Sequence, residues 1–233
     1  MNLILDIRNK LLKEKDETYC NFIKKLCSTT QKDIIGVRMK TIQHIAKNFN
    51  ECDIKKYILN DDIKYYEEMM LRGILIGHKY NTLDDVFTYI RHFITSIDCW
   101  AICDSTCASI KITKKHIDAI WGLLQQYIHS QQEYILRFVV VMYLNYYIST
   151  KYLHVIFQQI EKLNYDYYYL NTAIAWLISK AYVLNKILTL KYINTSRLNI
   201  CILKKALQKI RDSYQITKKD KELITDIILH KNI

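Results

Sequence analysis

A tryptophan and an aspartate one helical turn apart are the side chains of this sequence best suited by type and spacing to chemistry. Trp100 and Asp104 lie in the string SIDCWAICDSTCASI, residues 96–110. Residues four apart share one face of a helix, and a carboxylate on an apolar face is costly unless it is paired or used. On spacing alone, the favoured interpretation is a core tryptophan beside an aspartate that caps or pairs with a neighbouring helix. The functional alternative is a carboxylate that a binding or reaction site uses.

An arginine within a strongly apolar segment is the second candidate. Arg137 lies in QQEYILRFVVVMYLNYYI, where a charged side chain is rare unless it is paired. One interpretation is an i,i+4 ion pair with Glu133. The other is a phosphate clamp, because the planar guanidinium donates two parallel hydrogen bonds.

Two aromatic residues in YYYLNTAIAWLISKAY form the third candidate. Tyr168 and Trp176 are eight residues apart, about two helical turns, and so lie near one face. They form either part of an aromatic core or an aromatic wall beside a binding site.

Helical periodicity dominates the chain that must position these side chains. It predicts helices near 2–13, 17–28, 36–49, 51–59, 62–79, 82–96, 98–110, 113–129, 132–147, 149–163, 166–184, 197–213 and 217–230. Helix caps are predicted at Thr82 with Asp85, at Thr113 and at Thr217 with Asp220. Asp98 is expected to cap the helix that carries Trp100.

The fold class follows from this pattern and from the composition. Proline is absent and there are only 4 glycines, so long sheets joined by tight turns are improbable. Helix pairs recurring about every 30–40 residues predict an all-α, curved solenoid of antiparallel pairs, as in HEAT-like or ARM-type repeats. We expect one domain spanning residues 1–233, with a compact bundle as the structural alternative.

The charge balance favours a polyanionic partner. Lys and Arg total 34 against 23 acidic residues, giving a net charge of +11, which raises the prospect of nucleic acid binding. The alternative is a lysine-rich solvated surface. Basic clusters occur at Lys24–Lys25, Arg38–Lys40, Lys111 with Lys114 and Lys115, Lys204–Lys205 with Lys209, and Lys218–Lys219.

The cysteines and the hydropathy pattern indicate in which cellular compartment the protein resides. The 7 cysteines include no CxxC pair and are interpreted as small, reduced core residues, with a metal site as the less favoured alternative. No stretch has the roughly 18 apolar residues of a membrane span, and the N-terminus lacks a signal-peptide core. These features predict a cytoplasmic protein that does not bind membranes.

Several strings together resemble the AlkD-type family of DNA alkylation-repair glycosylases. They are IIGVRMKTIQHIAK (34–47), YYEEMMLRGILIGH (65–78), IDCWAICDS (97–105), the arginine segment (133–147), AIAWLISKAY (173–182) and LQKIRDSYQITKKDKE (207–222). The order of the strings along the chain is the specific part of the resemblance. The family's all-helical fold of HEAT-like repeats agrees with the fold predicted from periodicity.

The resemblance implies a role for each candidate. Asp104 matches the family's catalytic aspartate, Trp100 and Trp176 match its two active-site tryptophans, and Arg137 matches the arginine that supports the nucleotide at the lesion. Tyr168 matches a further aromatic contact. The implied reaction is hydrolysis of the N-glycosidic bond of cationic N3- or N7-alkylated purines in duplex DNA, with no cofactor and no metal.

Other basic residues complete the predicted site, and three positions depart from the family pattern. Contacts to DNA are expected from Arg38, Lys40, Lys111, Lys114, Lys115 and Lys180. Met39 stands at the stretch of the family's proline, Ser179 replaces a basic residue, and Cys27 lies near the place of an N-terminal aromatic residue. We expect a monomer in the bacterial cytoplasm or nucleoid. The rival functions are an inactive relative that binds unusual DNA structures and a protein-scaffolding solenoid.

Overall fold

The computed structural model describes residues 2–163 and 165–230, and it is helical throughout. The α-helices are α1 (Leu3–Lys13), α2 (Glu17–Leu26), α3 (Met39–Lys47), α4 (Glu51–Ile58), α5 (Tyr66–Ile76), α6 (Leu83–Phe93), α7 (Trp100–Ser109), α8 (Ile117–Tyr127), α9 (Glu133–Tyr146), α10 (Thr150–Ile160), α11 (Tyr168–Leu184), α12 (Lys186–Thr195), α13 (Ile200–Arg211) and α14 (Lys218–His230). Short 3-10 turns, Ile94–Ser96 and Lys111–Lys114, follow α6 and α7. Over the described ranges the extended backbone contributes only an isolated bridge between Asp33 and Tyr65.

The chain divides into two compact units, one ending at Gln126 and one beginning at Tyr127. In the first unit, α5 packs against its chain neighbours α4 and α6 and also against α3 and α7. In the second unit, α11 packs against α12 and also against α9 and α13. A helix that contacts both the next helix and the next but one is typical of stacked helical repeats. The all-α prediction and the packing of helices as repeats are therefore confirmed.

The central helices are apolar on most faces because other helices surround them. Burial extends through α5 from Tyr66 to Ile76 almost without interruption. The middle of α11, from Ala173 to Ala175 and at Leu177 and Ile178, is equally buried. The expectation of one domain over residues 1–233 stays a prediction, and Met1, Asn164 and residues 231–233 of that span lie outside the described residues.

One helix was not predicted. α12 (Lys186–Thr195) begins after Asn185, whose side chain accepts a hydrogen bond from the amide of Leu188. Only Thr189 and Ile193 of this helix are buried, so its sequence has no apolar stripe to indicate a helix. Its packing against α11 stabilises it instead.

The predicted caps have mixed outcomes. At α6 the hydroxyl of Thr82 accepts from the Asp85 amide, and the Asp85 carboxylate accepts from the Thr82 amide. At α14 the amide of Asp220 donates to the Thr217 hydroxyl. Both predictions are confirmed. The prediction for Thr113 is wrong, because this residue is buried in a 3-10 turn and donates to the Ile110 carbonyl oxygen, while α8 begins at Ile117.

Burial separates the cysteines into two groups. Five are buried and two are exposed: the buried ones are Cys20, Cys27, Cys99, Cys103 and Cys107, and the exposed ones are Cys52 and Cys201. The prediction of core cysteines is thus wrong for the latter two. Within the described part of the chain, no helix is long and apolar enough to cross a membrane.

Candidate functional site

The helix that carries Trp100 and Asp104 lies very close to α5 because two glycines face it. A Cβ atom at Gly73 would lie 2.0 Å from the hydroxyl oxygen of Thr106, and one at Gly77 would lie 2.0 Å from the carbonyl oxygen of Ser109. The Ser109 hydroxyl also donates to the Gly73 carbonyl oxygen at 3.1 Å. These contacts set the distance between α5 and α7 and so the position of both candidate side chains.

Trp100 is the first residue of α7 and is half-buried. Its indole nitrogen donates to the carbonyl oxygen of Leu26, the last residue of α2, at 3.0 Å. This bond orients the ring and leaves part of it accessible. Trp100 is therefore partly accessible, and its role as an active-site tryptophan stays a prediction.

Asp98 does not cap α7. The N-cap residue is Cys99, which makes no capping hydrogen bond through its side chain. The Asp98 carboxylate instead accepts from the hydroxyl of Thr30 at 3.0 Å and from the amide of Gln31 at 2.8 Å. The predicted cap is wrong because the Asp98 carboxylate instead binds the loop after α2, which is remote from it in sequence.

Asp104 lies one turn after Trp100 on α7 and is half-buried. Its neighbour Ser105, also half-buried, donates to the Ile102 carbonyl oxygen at 3.1 Å. Ser105 lines a groove of about 680 Å³ bounded by α3, α5 and α7. The groove thus borders α7 at the residue that follows Asp104.

This groove is rimmed by lysines, two of which no sequence pattern singled out. Lys111 was predicted to contact DNA, and it lines the groove together with Lys47 and Lys79. Lys47 ends α3, and Lys79 follows the end of α5. Both lysines lie at or just after the C-terminal end of a helix, α3 or α5, that lines the groove. This shared position is the sequence signal that could have indicated them. Lys40, Lys114 and Lys115 are exposed.

His78 also lines the groove. Burial, followed by the positive charge of Lys79, lowers the pKa of its imidazole below the ordinary value. Its ring lies 5.0 Å from that of Tyr80. The imidazole is therefore favoured in its neutral form at neutral pH, and the positive charge of the groove comes from lysines.

Arg38 is engaged within the first unit. Its guanidinium donates to the Asp16 carboxylate at 2.7 Å and lies 4.8 Å from the centre of the Tyr19 ring. The pKa of Asp16 is lowered by the hydrogen bond from the Tyr19 amide and then by the one from Arg38. These contacts give Arg38 a structural role at the start of α3. A contact of Arg38 with DNA stays a prediction.

Arg137 holds the first turn of another helix. The side chain is buried on α9, and its Nη1 donates to the Tyr169 carbonyl oxygen at 2.5 Å. Glu133, one turn earlier, accepts from the amides of Tyr169 at 2.6 Å and of Leu170 at 3.3 Å. Glu133 and Arg137 therefore both bind the start of α11, a contact that neither sequence interpretation anticipated.

Tyr168 opens α11 and is 64% exposed. Its ring lies perpendicular to that of Tyr169, and the ammonium group of Lys205 lies 4.2 Å from its centre. Such exposure contradicts the core interpretation of Tyr168. Part of the ring is accessible to a ligand, and Arg137 positions the backbone of the adjacent residue, Tyr169.

Trp176 lies two turns further along α11 and is half-buried. It lines a cleft of about 320 Å³ that also includes Ser179, Lys180 and Lys209. Lys180, predicted to contact DNA, therefore lies beside the second candidate tryptophan. Part of its ring is therefore accessible, and its role as an active-site tryptophan stays a prediction.

The candidates fall into two groups, one in each unit. Trp100 and Asp104 lie together on α7 in the first unit, and Ser105 of the same helix lines the groove rimmed by lysines. Trp176 and Lys180 share a cleft in the second unit, and Arg137 contacts the residue after Tyr168 there. Within the described residues, no cluster of His, Cys, Asp and Glu side chains is arranged to hold a metal ion.

Comparison with known proteins identifies the family. No curated protein matches the chain. The family described as DNA alkylation repair enzyme matches residues 6–210. This span contains every predicted site residue and most of both units, but only the start of the string at 207–222. The chain therefore belongs to the family of DNA alkylation repair enzymes.

Proposed function

We propose that the protein is a DNA glycosylase that hydrolyses the N-glycosidic bond of cationic N3- or N7-alkylated purines in duplex DNA. The observation that carries this proposal is the half-buried carboxylate of Asp104, one turn after the half-buried ring of Trp100. The family supports a role in the repair of alkylated DNA.

The substrate determines which catalysis is needed. Alkylation at N3 or N7 makes the purine cationic, so it departs as a neutral base and needs little acid catalysis. As the bond to the base breaks, positive charge develops on the deoxyribose. A fixed carboxylate at Asp104 stabilises that charge and orients the water that attacks the anomeric carbon. The water passes one proton through the carboxylate to solvent, which leaves a hydroxyl group on the anomeric carbon of the deoxyribose.

The tryptophans would stabilise the same positive charge that develops on the deoxyribose. Indole faces carry negative electrostatic potential and attract electron-poor C–H groups of the sugar. The hydrogen bond from Trp100 to the Leu26 carbonyl oxygen fixes the orientation of one indole. In this proposal Trp176 supplies the second, while Arg137 and Tyr168 support the nucleotide.

The basic residues would hold the phosphate backbone. Lys47, Lys79 and Lys111 rim the groove beside Ser105, and Lys180 lies beside Trp176. Lysine ammonium groups bind phosphates through charge and release condensed counterions from DNA. Salt-sensitive binding to duplex DNA is therefore expected of the folded chain.

The decisive experiment measures release of methylated purines from methylated duplex DNA. We expect release by the wild type and a loss of about 100-fold in Asp104→Asn, since a charge-stabilising group of this kind contributes about 3 kcal/mol. Asp84→Asn is the matched control, because it removes an exposed carboxylate from α6 and leaves α7 intact. The folded state of each variant is checked by circular dichroism.

The other outcomes separate the rival functions. A folded wild type that binds duplex DNA but releases no base would identify a relative that recognises DNA structure. Absent or salt-insensitive DNA binding would favour a protein scaffold. Equal release by wild type and Asp104→Asn would overturn the assignment of the catalytic carboxylate.

A further inference from the structure

Two buried thiols meet where the end of α2 adjoins the start of α7. Cys27 is the C-cap residue of α2, and Cys99 is the N-cap residue of α7. They are 2% and 0% exposed. Each thiol is the leading influence on the pKa of the other, and the Cys27 sulfur lies 3.7 Å from the hydroxyl oxygen of Tyr66.

Flanking contacts hold the two segments in this register. The residue before Cys27, Leu26, accepts the indole hydrogen bond of the residue after Cys99, Trp100. On the other side, Asp98 accepts from the amide of Gln31. Because bonds on both sides of each cysteine join the same two segments, the thiols are kept adjacent by the fold.

The two thiols differ chemically. The hydrogen bond from Cys99, followed by that from Tyr66, lowers the pKa of Cys27, whereas the same bond and burial raise the pKa of Cys99. A thiolate is the reactive form of cysteine. Cys27 also lines a surface cavity of about 210 Å³ with Lys24 and Lys32.

We propose that Cys27 and Cys99 form a redox-sensitive pair that hydrogen peroxide converts to an intramolecular disulfide. The Cys27 thiolate attacks one peroxide oxygen, the O–O bond breaks, and hydroxide leaves, which gives a sulfenic acid. The Cys99 sulfur then attacks the Cys27 sulfur, and the S–O bond breaks. The hydroxyl group leaves as water with the Cys99 proton. Two thiols are oxidised, and one peroxide is reduced to two molecules of water.

The bond would act on the neighbouring tryptophan. In this proposal the disulfide brings the two sulfur atoms to about 2.05 Å and draws the start of α7 toward the end of α2. Trp100 is the first residue after Cys99 and moves with it. This consequence rests on the proposed function, because it makes the disulfide a regulator of the site that contains Trp100.

The disulfide itself is tested without reference to activity. The folded wild type is treated with hydrogen peroxide, remaining thiols are alkylated, and peptides are mapped by mass spectrometry without reduction. We expect a Cys27–Cys99 cross-link that dithiothreitol removes. It should persist in the control Cys52→Ser/Cys201→Ser, which lacks both exposed cysteines, and be absent from Cys27→Ser. Oxidation confined to Cys52 and Cys201, or sulfinic acid at Cys27 without a cross-link, would overturn the proposal.

Its effect on the site is tested separately. Release of methylated purines by the control Cys52→Ser/Cys201→Ser is measured before oxidation, after it, and after dithiothreitol. A displacement of about 1 Å in a catalytic site can cost about 100-fold in rate. We expect a reversible fall of about tenfold or more. A cross-link that leaves release unchanged would overturn the regulatory role, whereas a cross-link in a protein that never releases bases would count against the proposed function alone.

Discussion

Two adjacent carboxylates, Glu67 and Glu68, show how strongly context determines what an acidic residue does. Glu67 is buried and accepts hydrogen bonds from the amides of residues 35–37 at 2.7–3.2 Å. Glu68 is also buried and accepts from Arg8 Nε at 2.8 Å and from the amides of Lys64 and Tyr65. Both carboxylates accept hydrogen bonds that stabilise the fold. Neither is a candidate for catalysis, although both lie in a string that resembles the repair family.

The ion pair between Arg8 and Glu68 is expected to be critical for stability. Arg8→Met leaves a buried carboxylate without its positive partner, which costs about 3 kcal/mol in free energy of unfolding. Urea denaturation monitored by circular dichroism measures this loss. Lys10→Met, on the exposed face of the same helix, removes the same charge and should change stability little. Equal losses in the two variants would contradict a specific role for the pair.

The close approach of α5 and α7 depends on the absence of a side chain at Gly77. Gly77→Ala would place a Cβ atom against the backbone of Ser109, and relief of this clash requires α7 to shift. We expect a loss of about 1–3 kcal/mol in stability together with slower release of methylated purines. Thermal denaturation and the release assay measure the two effects.

Gly122 provides the matched control for this substitution. It lies within α8, and a Cβ atom there would meet nothing within 4 Å. Gly122→Ala is therefore expected to stabilise the helix by about 0.5–1 kcal/mol. A similar loss of stability in both variants would show that the packing of α5 against α7 is not the cause of the loss in Gly77→Ala.

The capping box of α6 is expected to make stability depend on pH. Hydrogen bonds from Thr82 lower the pKa of Asp85 in the folded protein. A depressed folded-state pKa means that the charged carboxylate stabilises the fold above the unfolded-state pKa, about 3.9. This contribution is lost as the pH falls through the lower, folded-state pKa.

Asp85→Asn tests that dependence. The variant should be less stable than the wild type at neutral pH, and the difference should shrink as the pH falls below about 4. Urea denaturation at a series of pH values provides the measurement. Asp84→Asn, in the same first turn, controls for the helix dipole, and an identical pH dependence in both variants would exclude the capping box as its source.

The net charge of the whole chain, +11, predicts strongly salt-dependent binding to duplex DNA. If six phosphates are contacted, the association constant should fall about 10³-fold between about 50 and about 200 mM salt. Lys111→Gln should lower the slope of log K against log salt by about 1, since one phosphate contact is lost. Lys56→Gln, an exposed residue of α4, should leave the slope unchanged. Fluorescence anisotropy of labelled DNA measures the slope for each variant. Equal slopes for the wild type and Lys111→Gln would show that Lys111 does not contact a phosphate.

The helical class, most of the helices and two of the predicted caps followed from local signals. Periodicity and the spacing between Thr82 and Asp85 concern residues within one or two turns, so a single sequence contains them. α12 could not be predicted from periodicity because its stability comes from packing against α11 rather than from an apolar stripe. Asp98 was misassigned for the same reason, since its partners Thr30 and Gln31 are remote in sequence.

For the candidate site, residue types and spacing indicated Trp100 and Asp104 on one helix and Tyr168 and Trp176 on another as candidates, and the family resemblance made them predicted site residues. Long-range packing was needed for the rest. Two glycines bring α7 against α5, Lys47 and Lys79 join Lys111 around one groove, and Cys27 adjoins Cys99. Periodicity specifies which face a side chain occupies, because it depends on backbone geometry alone. Which side chains meet depends on how helices far apart in sequence pack, and that is a property of the folded chain.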